Sequence, residues 1–339
     1  MSFPDLGLLV LPDRPLSELA RLAAEAEDLG YNTIWVADEK FYRDPWVTLS
    51  VLAASTRRVR LGTGVTEPYA RHPALIAAAA GTLAEFCRNR LVLGLGAGGP
   101  GFPPMGIERR RPARALPEAV RIIRGLLAGE CVDVEGEVLS FRGGSLNFSA
   151  APLPIYVAAR GRHMLAAAAS VADGVIVAPF ASRVALGVAL PIVRRAAERA
   201  GRSPRIVLRV DVCLGATSAI AKDAVRPFVA LPLWVSYPDW TYAESFGVNL
   251  ADDLRGLIAR RDYRDIDAAG RLLPEAMIEH FAVAGTEEDV AGRLAELLPL
   301  TDELIVHPVG SPAVTRAEVV NRVARIVDGL RSIRLRRGA

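Results

Sequence analysis

Cysteine is scarce and scattered in this chain. Its 339 residues hold three, Cys87, Cys131 and Cys213, far apart, with neither a C-x-x-C pair nor a repeated Cys/His spacing. That argues against a disulfide framework and a zinc site, so no metal is expected and the thiols read as buried and reduced. An excess of one charge sign is also missing: 41 Lys and Arg face 38 Asp and Glu, a formal +3, too little for the basic footprint of a nucleic-acid binder. No stretch supplies the roughly 18 uninterrupted apolar residues of a membrane span. The start, MSFPD, has neither the basic nor the apolar region of a signal peptide. A cytoplasmic protein without nucleic-acid or membrane partners is expected.

What the chain has is apolar residues, 51% of the total, enough for a sizeable core. They fall into eight short runs, at 6–10, 33–37, 59–65, 91–95, 155–158, 174–177, 206–214 and 303–306. Most are followed by a segment with apolar residues at helical spacing. Strand and helix in alternation with short connections require parallel strands and right-handed crossovers. The pattern predicts an α/β fold, a (β/α)8 TIM barrel, as a single domain over 1–339, with chemistry at the C-terminal ends of the strands. The rhythm breaks twice. After strand four a Gly-, Pro- and Arg-rich loop covers 96–117, and alternating arms around Glu135 and Gly136 predict a hairpin outside the barrel. After strand seven an insertion covers 231–284, with Trp234, Tyr237, Trp240, Tyr242 and Phe246 among its residues, and reads as a lid or substrate wall or as a segment packing its own small core.

Three blocks carry a resemblance: GTGVTEPYARHP at 62–73, PIYVAARGRHML at 154–165 with VADGVI at 171–176, and AMIEHFAVAGT at 276–286. With WVAD at 35–38 they run in order along nearly the whole chain. They resemble the bacterial-luciferase-like superfamily and, within it, the methylenetetrahydromethanopterin reductase branch, which uses the deazaflavin coenzyme F420. The resemblance implies a non-prolyl cis peptide at Gly64–Val65, backing the central ring of the cofactor. It implies a phosphate site at Ala159, Arg160, Gly161 and Arg162, where a helix start and two cations suit an anion. It also implies an acidic cofactor contact at Asp38, and a homodimer for which the apolar helices before Ala84 are suited.

Two positions depart from the reductases. Leu9 stands where they carry a glutamate, and Gly99 where relatives carry an acid after strand four. The proton donor must then come from elsewhere, and Glu39 and His307, at the ends of strands two and eight, are the candidates. Glu67 and Tyr69 also fall near the mouth, whereas His72 reads as a helix start and His280 as packing. The GLGAG text at 94–98 lacks the helix and downstream acid of a dinucleotide fingerprint. The reading is an F420-dependent oxidoreductase that moves a hydride between reduced deazaflavin and an electrophilic C=C, C=N or C=O of a small organic substrate. The rivals are an FMN-dependent monooxygenase, supplied with reduced flavin by a separate reductase, and a non-catalytic ligand-binding barrel.

Overall fold

The computed structural model describes residues 3–338. Its strands are β1 (Asp5–Val10), β2 (Thr33–Val36), β3 (Arg60–Thr63), β4 (Leu91–Leu95), β5 (Val132–Glu135), β6 (Ser140–Gly144), β7 (Ile155–Ala159), β8 (Gly174–Val177), β9 (Arg205–Leu214), β10 (Ala282–Gly285) and β11 (Glu303–Val309). The strand order is β10-β9-β11-β1-β2-β3-β4-β7-β8, and β9 also pairs with β8, which closes the expected (β/α)8 barrel. β5 and β6 form a separate antiparallel hairpin. The barrel strands are almost wholly buried, as in the TIWV of β2 and the LVLGL of β4. Parallel strands covered on both faces select such continuous apolar runs instead of alternation.

Two compact units make up the chain. The first comprises the chain up to Leu8, Val177–Pro191 and everything from Ile206 on; the second comprises Leu9–Ile176 and Ile192–Arg205. In the second unit α1 (Leu16–Asp28), α2 (Pro45–Ser55), α3 (Pro73–Phe86), α4 (Pro112–Leu127) and α5 (Arg162–Val171) follow their strands. Asp44 caps α2 through the amides of Trp46 and Val47, and the His72 ring caps α3 through the amide of Ala74, each with proline at the first helical position. His72 is thus the helix start its sequence suggests. α6 (Arg183–Arg199) has residues in both units.

In the first unit lie α7 (Ser218–Ser236), α8 (Thr241–Glu244), α9 (Asp252–Ala259), α10 (Ile266–Arg271), α11 (Glu275–Phe281), α12 (Glu287–Leu297) and α13 (Arg316–Gly338). The 231–284 insertion therefore begins inside α7 and consists mainly of α8–α11. It ends in a strand the sequence does not signal: β10 pairs in parallel with the last four residues of β9. Its aromatic residues pack on one another, Phe281 lying 5.9 Å from Tyr242 and 6.0 Å from Phe246, and on Phe180 after β8, which meets Phe246 edge-on at 5.2 Å.

Other differences are local. Helix α4 starts at Pro112, inside the stretch expected to be loop, because proline is well placed in a first turn; Pro117 lies inside the helix, which continues through it. Cys87 and Cys213 are buried as expected, but Cys131, after α4, is exposed. Burial pushes the Cys213 thiol up to about 11. No described helix is long and apolar enough to cross a membrane.

Candidate functional site

The second unit's site grows from a packing problem around Trp35. This side chain is fully buried on β2, and its ring lies where a Cβ on Gly62 would stand, 2.4 Å from Cε3. Beyond β3, Gly64 donates to the carbonyl of Val36 at 2.7 Å, and the Gly64–Val65 peptide is cis. Thr66 then rejoins β4, its N–H on Gly94 O at 3.0 Å and its carbonyl accepting from Gly96 N at 2.8 Å. Gly64 and Val65 are half-buried between fully buried Thr63 and Thr66. The GLGAG text has its explanation here. A Cβ on Gly94 would meet Thr63 O at 2.1 Å, and one on Gly96 would meet Val65 Cγ2 at 2.4 Å, so these glycines make room for the cis segment and not for a dinucleotide.

Beside this segment sits a charged cluster. Lys40 Nζ lies 2.9 Å from both Asp38 Oδ1 and Glu67 Oε1. The other Asp38 oxygen accepts from Thr66 Oγ1 at 2.6 Å. Glu67 is buried, and its Oε2 accepts from the amides of Tyr69 and Ala70 at 2.6 and 2.9 Å. The contact of Oε1 with Lys40 is an ion pair without hydrogen-bond alignment. Burial opposes the Lys40 charge, but the Asp38 and Glu67 carboxylates outweigh it and hold the ammonium above its ordinary range. The loop after β4 closes on the same cluster. Gly101 packs on the Lys40 stem, Tyr69 donates its hydroxyl proton to the carbonyl of Arg110 at 2.8 Å, and Phe102 meets the Tyr69 ring edge-on at 5.8 Å. Burial pushes the Tyr69 hydroxyl up to about 12, with Arg109 opposing and Glu67 and Glu118 adding. Glu39 follows Asp38, half-buried.

At the end of β7, Ala159 is buried and Arg160 half-buried, while Arg162 is exposed. Helix α5 begins at Arg162, a residue or two earlier than its sequence suggests, with Gly161 in extended conformation as its N-cap. No side chain caps its first turn, and nothing lies within 4 Å of the place a Gly161 Cβ would occupy. The first-turn amides and their partial positive charge therefore lie beside an open position.

The first unit holds its own polar group. In parallel register His307 on β11 stands opposite Asp211 on β9, and its Nδ1 is 2.6 Å from Asp211 Oδ1. Asp211 Oδ2 accepts from Arg209 Nη1 at 2.8 Å. Burial would raise the Asp211 carboxyl, but Arg209 and then His307 hold it below the ordinary range. Burial, with Arg209 adding to it, lowers His307 against the pull of Asp211. A neutral imidazole beside a carboxylate carries its proton on Nδ1. The Arg209 Nη2, 3.1 Å from that nitrogen, is then a close polar contact and not a donor to it. His307 therefore does not emerge past the end of its strand, as its sequence suggests; β11 runs on to Val309 and buries it. His280 is packed with its Nδ1 2.8 Å from Ser182 Oγ.

Asp38, Gly64, Val65, Ala159, Arg160, Gly161, Arg162 and Glu39 all fall in the second unit, and His307 in the first. Sequence reading overlooked Lys40, Arg209 and Asp211. The last two carried a signal, since charges two apart in a buried strand share a face. Among the described residues no group of three or more His, Cys, Asp or Glu is placed to hold a metal.

The chain is similar to 5,10-methylenetetrahydromethanopterin reductase of Methanolobus tindarius, with 35% identity over 90% of this chain and 94% of that protein. The reductase of the same name from Archaeoglobus fulgidus is 33% identical over 90% and 93%. Among solved structures, the coenzyme F420 dependent tetrahydromethanopterin reductase from Methanopyrus kandleri superposes with a TM-score of 0.80, at 27% identity, over 97% of this chain and 99% of that one. A family model for luciferase-like monooxygenases matches residues 3–301, and the chain belongs to that family.

Proposed function

We propose that this chain is an F420-dependent oxidoreductase of the luciferase-like family, moving a hydride between the deazaflavin and an electrophilic C=C, C=N or C=O of a small organic substrate. The observation that carries the reading is the uncapped start of α5, open at Gly161 and flanked by Arg160 and Arg162, in the same unit as the half-buried Gly64 and Val65. The reductases named above, similar over nine-tenths of the chain, support it. Bound deazaflavin supplies a hydride at C5 and favours two-electron transfer over reaction with oxygen.

The residues present fit such a group. An open position at Gly161, free first-turn amides of α5 and two guanidinium side chains suit the phosphate and carboxylates of an anionic tail. Gly64 and Val65 offer backbone and one methyl-bearing side chain to a flat ring, and Ala159 and Asp38 complete the contacts. For the proton that accompanies the hydride, Glu39 and His307 remain the proposed donors. With Nδ1–H directed at Asp211, the neutral His307 leaves Nε2 as a proton acceptor, and it would donate only after Nε2 has first taken up a proton.

The substrate is proposed to differ from methylenetetrahydromethanopterin. Leu9, where the reductases carry a glutamate, is buried, and its Cδ1 lies 2.7 Å from where a Gly64 Cβ would be. A homodimer through α2 and α3 is also proposed: both helices are rich in apolar residues and leave Val47, Leu75 and Phe86 exposed. Titration of purified protein with F420 and with FMN, followed by fluorescence and thermal shift, tests the cofactor. Tighter F420 binding is expected. Equal or preferential FMN binding would move the assignment to a flavin monooxygenase, and binding of neither would leave a non-catalytic barrel.

A further inference from the structure

Lys40 has no place in the chemistry described so far, yet three separate pieces of backbone converge on it. Its ammonium holds Asp38 at the end of β2 and Glu67 in the segment after β3, at 2.9 Å each. Glu67 in turn gathers the amides of Tyr69 and Ala70. The loop after β4 lies on the Lys40 stem at Gly101, close enough that a Cβ there would fall 2.3 Å from Lys40 Cβ. A lysine gives up rotamer entropy to be held this way, and a surface ion pair would not return it. With a side chain only 16% exposed and a Glu67 side chain 2% exposed, this is a buried arrangement, in which removing one partner leaves uncompensated charge behind.

The position matters because of Asp38. Both its oxygens are occupied, one by Lys40 and the other by Thr66 Oγ1 at 2.6 Å, and Thr66 follows the cis Gly64–Val65 peptide directly. We propose that Lys40 is a positioning residue: it fixes Asp38 as an oriented carboxylate beside the cis segment and ties the loops after β3 and β4 to it, so that the cofactor meets a prearranged site. The inference rests on the functional reading above in taking Asp38 as a cofactor contact. The charged groups that act on the lysine are Asp38 from its own strand end and Glu67 from the segment after β3; Glu39 is its chain neighbour, and Tyr69, beside Glu67, feels Arg109 from the loop after β4.

A double-mutant cycle separates positioning from mere support of the fold. The affinity for F420 is measured by fluorescence titration in wild type, Lys40→Met, Asp38→Asn and the double variant. If Lys40 acts through Asp38, Lys40→Met weakens binding by about tenfold in the wild-type background, the size of one charge-assisted hydrogen bond. In the Asp38→Asn background the same change costs less than about twofold. Equal losses in both backgrounds, or no loss in either, would overturn the proposal. Should Lys40→Met fail to fold, Lys40→Arg takes its place: it keeps the charge but moves it off the point where two carboxylates meet. A loss confined to the background with Asp38 intact is again expected, and equal or absent losses again overturn the proposal. If wild type binds no deazaflavin, the functional reading fails and the proposal falls with it; if wild type binds and the losses are equal or absent, the proposal alone falls.

Discussion

Three glycines at or just after the GLGAG stretch, Gly94, Gly96 and Gly99, permit a graded test of how the segment after β3 is held. Alanine at 99 meets nothing within 4 Å, and is expected to change stability by no more than about 0.5 kcal/mol. Alanine at 96 would place its methyl 2.4 Å from Val65 Cγ2, the end of a side chain that can turn away, at about 1 kcal/mol. Alanine at 94 would place its methyl 2.1 Å from the carbonyl oxygen of Thr63. That atom cannot turn away, because the Thr63 hydroxyl is bonded to both Gly94 O and Gly94 N, at 2.8 and 2.9 Å. The backbone itself must shift, at the residue just before Gly64. Gly94→Ala is therefore expected to cost about 2–3 kcal/mol, the upper part of the overpacking range, or about 3–4 °C in Tm for a chain of this size. It should also weaken cofactor binding more than Gly96→Ala does. Thermal unfolding and fluorescence titration of the three variants read both quantities. A Gly94→Ala protein as stable as Gly99→Ala, with unchanged affinity, would refute the packing argument.

Three further outcomes follow from the same geometry. Arg160→Gln and Arg162→Gln should each weaken F420 binding and flatten its dependence on ionic strength without altering the fold; unchanged affinity in both would return this turn to ordinary surface charge. Because burial holds His307 below its ordinary value near 6.5, the unfolded chain binds a proton that the folded chain refuses as pH falls through and below that value. This share of stability is thus full above about pH 6.5 and declines on acidification, so denaturation of wild type against His307→Gln from pH 8 to 5 should show a gap that narrows in acid, and a constant gap would contradict it. Leu75→Glu, at an exposed position of α3, should convert a dimer to monomers in sedimentation velocity, whereas a wild type that sediments as a monomer would remove the dimer proposal.

The barrel was legible because parallel strands buried on both faces leave unbroken apolar runs, and all eight were found within a few residues of their observed ends. β10 was not, since four residues of AVAG following a helix carry no strand period of their own; the strand exists only because the upper edge of β9 is there to pair with. The end of β3 was readable through resemblance, for nothing in the spacing of residues 62–66 specifies a cis bond. The clamp at Lys40 was hidden for a different reason. Asp38 and Glu67 are separated by a whole βα unit, and a lysine after a strand looks like any solvated charge until the loop carrying Gly101 covers it. Long-range pairing of this kind is decided by topology, which local patterns do not record. His307 shows the converse error, where the apolar run was taken to end at Val306 although β11 continues to Val309.

The central claim is that the cis Gly64–Val65 segment and the α5 helix start belong to one deazaflavin site. A crystal structure of the protein soaked with F420 tests it most directly. The account predicts density for the tricyclic ring against Gly64 and Val65, with its phosphate on the amides after Gly161 and within reach of Arg160 or Arg162. A ring seated away from the cis segment, or a phosphate held by other residues, would contradict it.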